Sequence, residues 1–188
     1  MNFSSLKNII FDLGGVIINI DFQRTFEAFA ELGQTDILTT LKKFEELRVF
    51  ERYEAGEFTD SEFRIFLKDE FSTPDSDFEI DKAWNALLRD IPADRIRLIE
   101  RLKKKYNIFL LSNTNHIHLQ EVNELLYESS AVRSLNDLFH KVYLSYEMKM
   151  SKPHLDIYEA VLYDQKIKPE ETLFIDDNKD NIEGAKAA

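Results

Sequence analysis

Along this 188-residue chain, short unbroken apolar runs alternate with stretches whose apolar residues recur every three or four positions. The runs are Ile9-Ile10-Phe11, Ile108-Phe109-Leu110-Leu111, Val142-Tyr143-Leu144 and Leu173-Phe174-Ile175. Each has the length of a strand buried on both faces. Between them the period changes to that of a helix. Ile96, Ile99 and Leu102 share one face of a predicted helix from Arg95 to Lys105, and Leu155, Tyr158 and Leu162 share one face from Leu155 to Leu162. Buried strands alternating with amphipathic helices predict an α/β fold: a doubly wound, Rossmann-like parallel sheet covered on both sides.

From Phe22 to Ile91 no strand-like run occurs. Phe22, Phe26 and Phe29 repeat at helical spacing, as do Ile37, Leu41 and Phe44, and Phe78, Trp84, Leu87 and Leu88 mark a further helix. Thr59 followed by Glu62 is a capping box ahead of Phe63, Phe66 and Leu67. The predicted organisation is an α/β core from residues 1–21 and 92–188, with a helical cap, 22–91, inserted after the first strand. The many aromatics of the insertion read as core filling. The last predicted helix begins near Asn178 and runs to Ala188, where a doubly wound domain is expected to continue to another strand.

Polar residues end these runs in a pattern that carries chemistry. Asp12 follows the first run, Ser112-Asn113-Thr114-Asn115 the second, and Asp176-Asp177 the last; the Val142–Leu144 run leads toward Lys152-Pro153. In open α/β sheets ligands sit beyond the carboxyl ends of the strands, where all these residues fall. A carboxylate wedged between apolar runs costs several kcal/mol unless a cation or donors meet it, as a rough bound. Two strand–acid junctions on one sheet edge therefore outline a metal site. Each residue also has a plain structural reading. Asp12 before Gly14 fits a turn; Ser112 or Asn113 fits the cap of the following helix; Asp176 and Asp177 fit the cap of the last one; Lys152 fits a solvated residue before Pro153. Their joint occurrence in this order argues against four coincidences.

Charge and composition narrow the partners. The formal net charge of -11 opposes binding to a phosphate backbone, so nucleic acid is not an expected partner. The basic cluster Arg101–Lys105 falls at a predicted helix end, where it complements the helix dipole. The absence of Cys excludes disulfides, thiolate catalysis and Cys-based zinc sites. No run approaches membrane-span length, and Met1–Lys7 lacks the pattern of a signal peptide, so no membrane association is expected and the expected location is cytoplasmic.

Taken in order, Phe11-Asp12-Leu13-Gly14-Gly15-Val16, Ser112-Asn113-Thr114-Asn115, Lys152-Pro153 and Asp176-Asp177-Asn178-Lys179-Asp180-Asn181 resemble the four motifs of the haloacid dehalogenase-like hydrolase superfamily. The α-D-glucose-1-phosphate phosphatase-like subgroup is the nearest in pattern. Glu54-Ala55-Gly56-Glu57, within Phe50–Phe58, is similar to the turn between cap helices. The resemblance implies a magnesium-dependent phosphatase acting on a small phosphorylated metabolite, such as a sugar phosphate, through an aspartyl-phosphate. It implies Asp12 as nucleophile and Lys152 as the partner of both phosphate and Asp12. Asp12, the Gly14 carbonyl and Asp177 would hold Mg2+, with Asp176 reaching it through water. Ser112 and the backbone N–H groups of Leu13 and Asn113 would cradle the phosphate.

One position departs from the superfamily pattern. Most of its phosphatases carry a second Asp two residues after the nucleophile as general acid and base, and Gly14 stands there. A general acid contributes about 10²–10⁴-fold, so its loss predicts a steep dependence of rate on leaving-group pKa. Asp21 is the nearest acid downstream. Two other readings of the scaffold remain: dehalogenase- or phosphonatase-type hydrolysis, opposed by the acidic pair Asp176-Asp177, and a non-catalytic phosphate-binding protein, opposed by intact Asp12, Lys152 and Asp177. Arg48, Arg52, Tyr53, Glu54 and Trp84 are the substrate-facing candidates of the insertion by position. His116 and His118 match no motif and read as surface or core.

Overall fold

The structure is a computed structural model that describes residues 5–74 and 76–188. The reading of Met1–Lys7 therefore lies largely outside the described residues. Four strands, β1 (Asn8–Phe11), β2 (Asn107–Ser112), β3 (Lys141–Leu144) and β4 (Thr172–Ile175), form one parallel sheet in the order β3-β2-β1-β4. The expected doubly wound α/β architecture is present. Phe11 is in register with Leu110 on one side and Ile175 on the other. Asp12, the end of β2 and Asp176 consequently leave the sheet side by side.

The side chains of the strands alternate between two cores, as a period of two requires. Ile9, Phe11, Ile108 and Leu110 pack with Ile96 and Ile99 of helix α6 (Ala93–Lys103) and with Val122 and Leu126 of α7 (His116–Ser130). Ile10, Phe109, Leu111 and Tyr143 pack on the other side with Ile157, Tyr158 and Val161 of α10 (Leu155–Gln165). The buried face of α10 is thus rotated from the expected one. Leu155 is 42% exposed at the first turn, ahead of the point where the helix meets the sheet.

The segment between β1 and α6 is helical, as its spacing predicts: α1 (Phe22–Leu32), α2 (Ile37–Leu47), α3 (Val49–Glu54), α4 (Asp60–Phe71) and α5 (Asp77–Trp84), then a 3-10 turn at Asn85–Leu87. Both halves of the Thr59/Glu62 capping box are made. These helices bury a core of their own, built from Phe29, Phe44, Tyr53, Phe63, Ile80 and Trp84 among others. Phe78, expected on the buried face of α5, is exposed, and Ile80 takes its place. The two connections to the rest of the chain run together: Asn19 and Asp21 exchange backbone hydrogen bonds with Leu87, Arg89 and Asp90.

Three short or terminal helices complete the described fold: α8 (Leu135–Leu138), α9 (Ser145–Met148) and α11 (Lys179–Ala187). Ala55–Phe58 forms the turn between α3 and α4, and Gly56 brings it against α9. With φ of 73°, a Cβ on Gly56 would lie 2.5 Å from the Tyr146 carbonyl oxygen.

The rotated face of α10 gives a direct check. Ile157→Ala should cost about 2–5 kcal/mol in denaturant unfolding, whereas Leu155→Ala should stay within about 0.5 kcal/mol. Similar losses at both positions would contradict the packing described.

Candidate active site

The residues that end the strands meet at one sheet edge. Asp12 directly follows β1 and is buried; its N–H donates to the Ile175 carbonyl at 2.8 Å, tying the turn to β4. The next residues form a closed turn in which Ile17 and Ile18 N–H groups donate to the Leu13 carbonyl and Gly15 N–H donates to that of Ile18. Ile17 and Ile18 are themselves buried, which anchors the turn in the apolar core and holds Asp12 at its mouth.

Lys152 lies opposite. Its Nζ donates to Asp12 Oδ1 at 2.6 Å and to Asp176 Oδ2 at 2.7 Å, and its side chain is only 1% exposed. The solvated alternative for Lys152 is thereby ruled out. Asn113 fixes the Lys152 backbone at both ends: its Nδ2 donates to the Lys152 carbonyl, and its Oδ1 accepts from the Lys152 N–H, each at 3.0 Å. Ser145 holds the neighbouring residue, with its Oγ accepting from Thr114 N–H at 3.0 Å and donating to the Thr114 carbonyl at 3.2 Å.

The structural readings of the motif residues as helix caps also give way. Asn115, rather than Ser112 or Asn113, caps α7 through its side chain, and Asn178, rather than Asp176 or Asp177, caps α11. Ser112 and Asn113 instead line a small cavity with Leu13 and Gly14.

Asp12, Asp176 and Asp177 each place a carboxylate oxygen within 4.8 Å of the others. The three acids face one ammonium group, so the cluster is two charges short of neutral, and a divalent cation fits that deficit. Burial raises the Asp12 carboxyl from 3.8 to about 6 against the opposing pull of Lys152, with Asp176 adding to the rise. Within the acidic pair the two residues differ. Asp176 accepts from Lys152, from Asn178 N–H and twice from the Asn181 amide, whereas Asp177 is exposed and has no hydrogen bond among the described residues. Asp177 thus has its lone pairs free. It lies against Gly15, whose φ is 70° and where a Cβ would come within 2.2 Å of Asp177 Oδ2. Gly15 was not singled out among the functional positions; only the fold reveals that its missing side chain makes room for Asp177.

Of the substrate-facing candidates, Tyr53 and Trp84 are buried in the helical core and line neither the Gly14 cavity nor the one beside Lys152. Arg48, Arg52 and Glu54 line a cavity of about 230 Å³ together with Asn113, Lys152 and His154. Glu54 and Asn113 line the Gly14 cavity as well. Burial, reinforced by Glu51 and Asp12 and opposed by Lys152, raises the Glu54 carboxyl to about 8. Asp21 lies apart from both cavities, half exposed and 3.5 Å from Arg24. His118 is a core residue that joins the two helical regions: it stacks on Trp84 with ring centroids 4.8 Å apart, and Asn115 accepts from the Trp84 indole N–H. Burial lowers its pKa to about 4. His116 is half exposed and pairs with Asp60 at 2.6 Å.

The haloacid dehalogenase-like hydrolase family model matches residues 6–188. The chain belongs to that family. It is 35% identical over 177 residues to a D-ribitol-5-phosphate phosphatase of Bacteroides thetaiotaomicron, covering 94% of this chain and 85% of the relative. A crystal structure of a family enzyme from the same organism, in complex with magnesium and inorganic phosphate, superposes with a TM-score of 0.87 at 41% identity, covering 97% of this chain and 90% of that one. A predicted family hydrolase from Porphyromonas gingivalis superposes equally well, with a TM-score of 0.87 at 33% identity over 97% of this chain and 87% of its own.

Two expectations follow from this hydrolase's acidic cluster. Gly15→Ala and Asp177→Asn should each weaken magnesium binding by at least about tenfold, and more than Asp176→Asn does, in a calorimetric titration. A larger effect at Asp176 would reverse the assignment within the pair. The second concerns pH. Because Asp12 ionises near 3.8 unfolded and about 6 folded, its native form holds more protons in that interval, and stability falls as pH rises through it. A cation offsets the loss, so magnesium should raise Tm more at pH 7.5 than at pH 5. Equal shifts would uncouple Asp12 from the metal.

Proposed function

We propose that this chain is a magnesium-dependent phosphatase of a small phosphorylated metabolite, acting through an aspartyl-phosphate on Asp12, with the helical segment 22–91 as its cap. The observation that carries the reading is the buried Lys152 ammonium bridging Asp12 and Asp176 beside the unpartnered Asp177. A halide-displacing carboxylate has no need of further acids, whereas phosphate brings its own negative charge and requires cations around it. Lys152 and a divalent cation on the acidic cluster meet that requirement.

The donor set is all oxygen, which suits Mg2+: Asp12, Asp177 and the Gly14 carbonyl would hold it, with Asp176 behind them. Bound there, the ion neutralises charge on the transferring phosphoryl group and on the nucleophile. Asp12 attacks phosphorus, and the leaving oxygen departs on the opposite side in an in-line displacement; water then cleaves the acyl phosphate. Lys152 orients the Asp12 carboxylate and balances the phosphoryl oxygens. Ser112 and the N–H groups of Leu13 and Asn113 fit a cradle for those oxygens, consistent with their shared cavity. Asn113 has a second task, since its side chain keeps the Lys152 backbone in place.

The substrate is a small, polar phosphate ester. The adjoining cavity of about 230 Å³ is below the ~300–1,000 Å³ typical of drug-sized pockets and is lined by Arg48, Arg52, Glu54 and His154. Such a lining suits the hydroxyl groups of a sugar or sugar-alcohol phosphate, in line with the D-ribitol-5-phosphate phosphatase to which the chain is similar. A cytoplasmic location accords with such a substrate.

Turnover of D-ribitol 5-phosphate and of a panel of sugar phosphates, with magnesium and with EDTA, tests the reading. Magnesium-dependent release of phosphate is expected, and Asp12→Asn should lower it by at least about 10³-fold with the fold retained. Wild-type protein that releases no phosphate from any ester, or an Asp12→Asn variant that retains activity, overturns the proposal.

A further inference from the structure

We propose that Glu54, at the end of α3, is the general acid of the reaction, reaching the leaving oxygen from the cap in place of the side chain missing at Gly14. This rests on the phosphatase reading above and deepens it. Gly14 supplies no proton, and the room beside it is restricted: a Cβ there would lie 3.2 Å from Ile20 Cδ1. The proton must come from another wall of the cavity.

Glu54 occupies that wall. It lines the cavity that contains Leu13, Gly14 and Ser112, and also the one that contains Lys152 and Asn113, so it belongs to the wall that the two share. No other carboxylic acid lines the first cavity among the described residues. It makes no hydrogen bond or ion pair among the described residues, unlike Asp60, Asp81 and Glu57 elsewhere in the cap, which are engaged by Tyr53, Arg64 and Arg52. Arg48, Arg52 and His154 share the second cavity without engaging it. Its placement is fixed by the fold: Val49 and Tyr53 of the same short helix are buried in the cap core, and the following turn is pressed against α9 at Gly56.

The charges around Glu54 favour the acid form. Burial, Glu51 on its own helix and the charge of Asp12 oppose its ionisation, and Lys152 offsets them only in part. The proton balance is then complete. Asp12 forms its bond to phosphorus as the bond to the leaving oxygen breaks, and that oxygen takes the Glu54 proton and departs as the alcohol. In the second half, the Glu54 carboxylate takes a proton from the water that attacks the aspartyl-phosphate, which restores the acid, frees Asp12 and releases phosphate.

Leaving-group chemistry separates this role from a binding or structural one. Phenyl phosphate and 4-nitrophenyl phosphate have similar shapes, but only the poorer phenolate leaving group gains much from protonation. In single-turnover measurements with magnesium, Glu54→Gln should slow both and slow phenyl phosphate at least about tenfold more, within the 10²–10⁴-fold range of general acids. Glu54→Asp should recover part of that difference. Wild-type enzyme should show only a shallow dependence on the leaving group, a measurement that needs no variant. Equal losses on both esters, or a wild-type dependence as steep as that of Glu54→Gln, would overturn the assignment while leaving the phosphatase reading intact. No turnover of either ester, or of the sugar phosphates, by wild type would instead remove the phosphatase reading and this role with it.

Discussion

The site depends on one buried ammonium group. Lys152 lies between Asp12 and Asp176, which are 11% and 0% exposed at their side chains. Taking these groups out of water carries a large desolvation cost, and only close pairing with further hydrogen bonds returns it. The protein provides those bonds from several elements: Asn113 holds the Lys152 backbone, Asn181 and the Asn178 N–H hold Asp176, and the Asp12 N–H is tied to β4. The parallel register that aligns Phe11 with Leu110 and Ile175 is what allows one lysine to reach both acids. Three negative charges against one positive leave a deficit that suits a divalent cation.

Two adjacent glycines have different roles at this edge. Gly15 adopts a positive φ and yields space to the Asp177 carboxylate, which a methyl group would displace. Gly14 instead removes an acid from the position where relatives of the wider superfamily carry one. The inserted helices bring Glu54 to the wall of the cavity beside Gly14, so the position of those helices shapes that cavity. Trp84, Asn115 and His118 form the contact that sets that position, with ring stacking, an indole hydrogen bond and Ile117 buried in the core of the inserted helices. Burial keeps the His118 pKa near 4, so the ring that makes this contact is neutral at ordinary pH.

Much of this molecule is legible in its sequence, for physical reasons. Strands buried on both faces must be continuous apolar runs, so all four were visible as such, and acids immediately after two of them had to meet a cation or donors. The order of Asp12, Ser112, Lys152 and Asp176-Asp177 then pointed to one family. The capping box at Thr59 and Glu62 was equally plain, because both of its bonds are local. Helix faces were read correctly at Ile96 and Ile99 and at Phe29 and Phe63, but other inferences that needed the rotation of a helix against its neighbours failed. Leu155 and Phe78 fit the apolar stripe of their helices yet face solvent, and Tyr53 and Trp84 were candidates for the substrate but fill the core of the inserted helices.

The sequence by itself determined the sheet and the acids that cluster at its edge, since both follow from local patterns that few folds satisfy. Only the tertiary structure decided which of Asp176 and Asp177 keeps free lone pairs, because that depends on donors from Lys152 and Asn181 that fold back upon one of them. It alone decided that Asn113 fastens Lys152, 39 residues away, and that Glu54 rather than Asp21 opens onto the cavity. Such facts concern the direction of a side chain relative to a distant segment, and no periodicity along the chain encodes that direction.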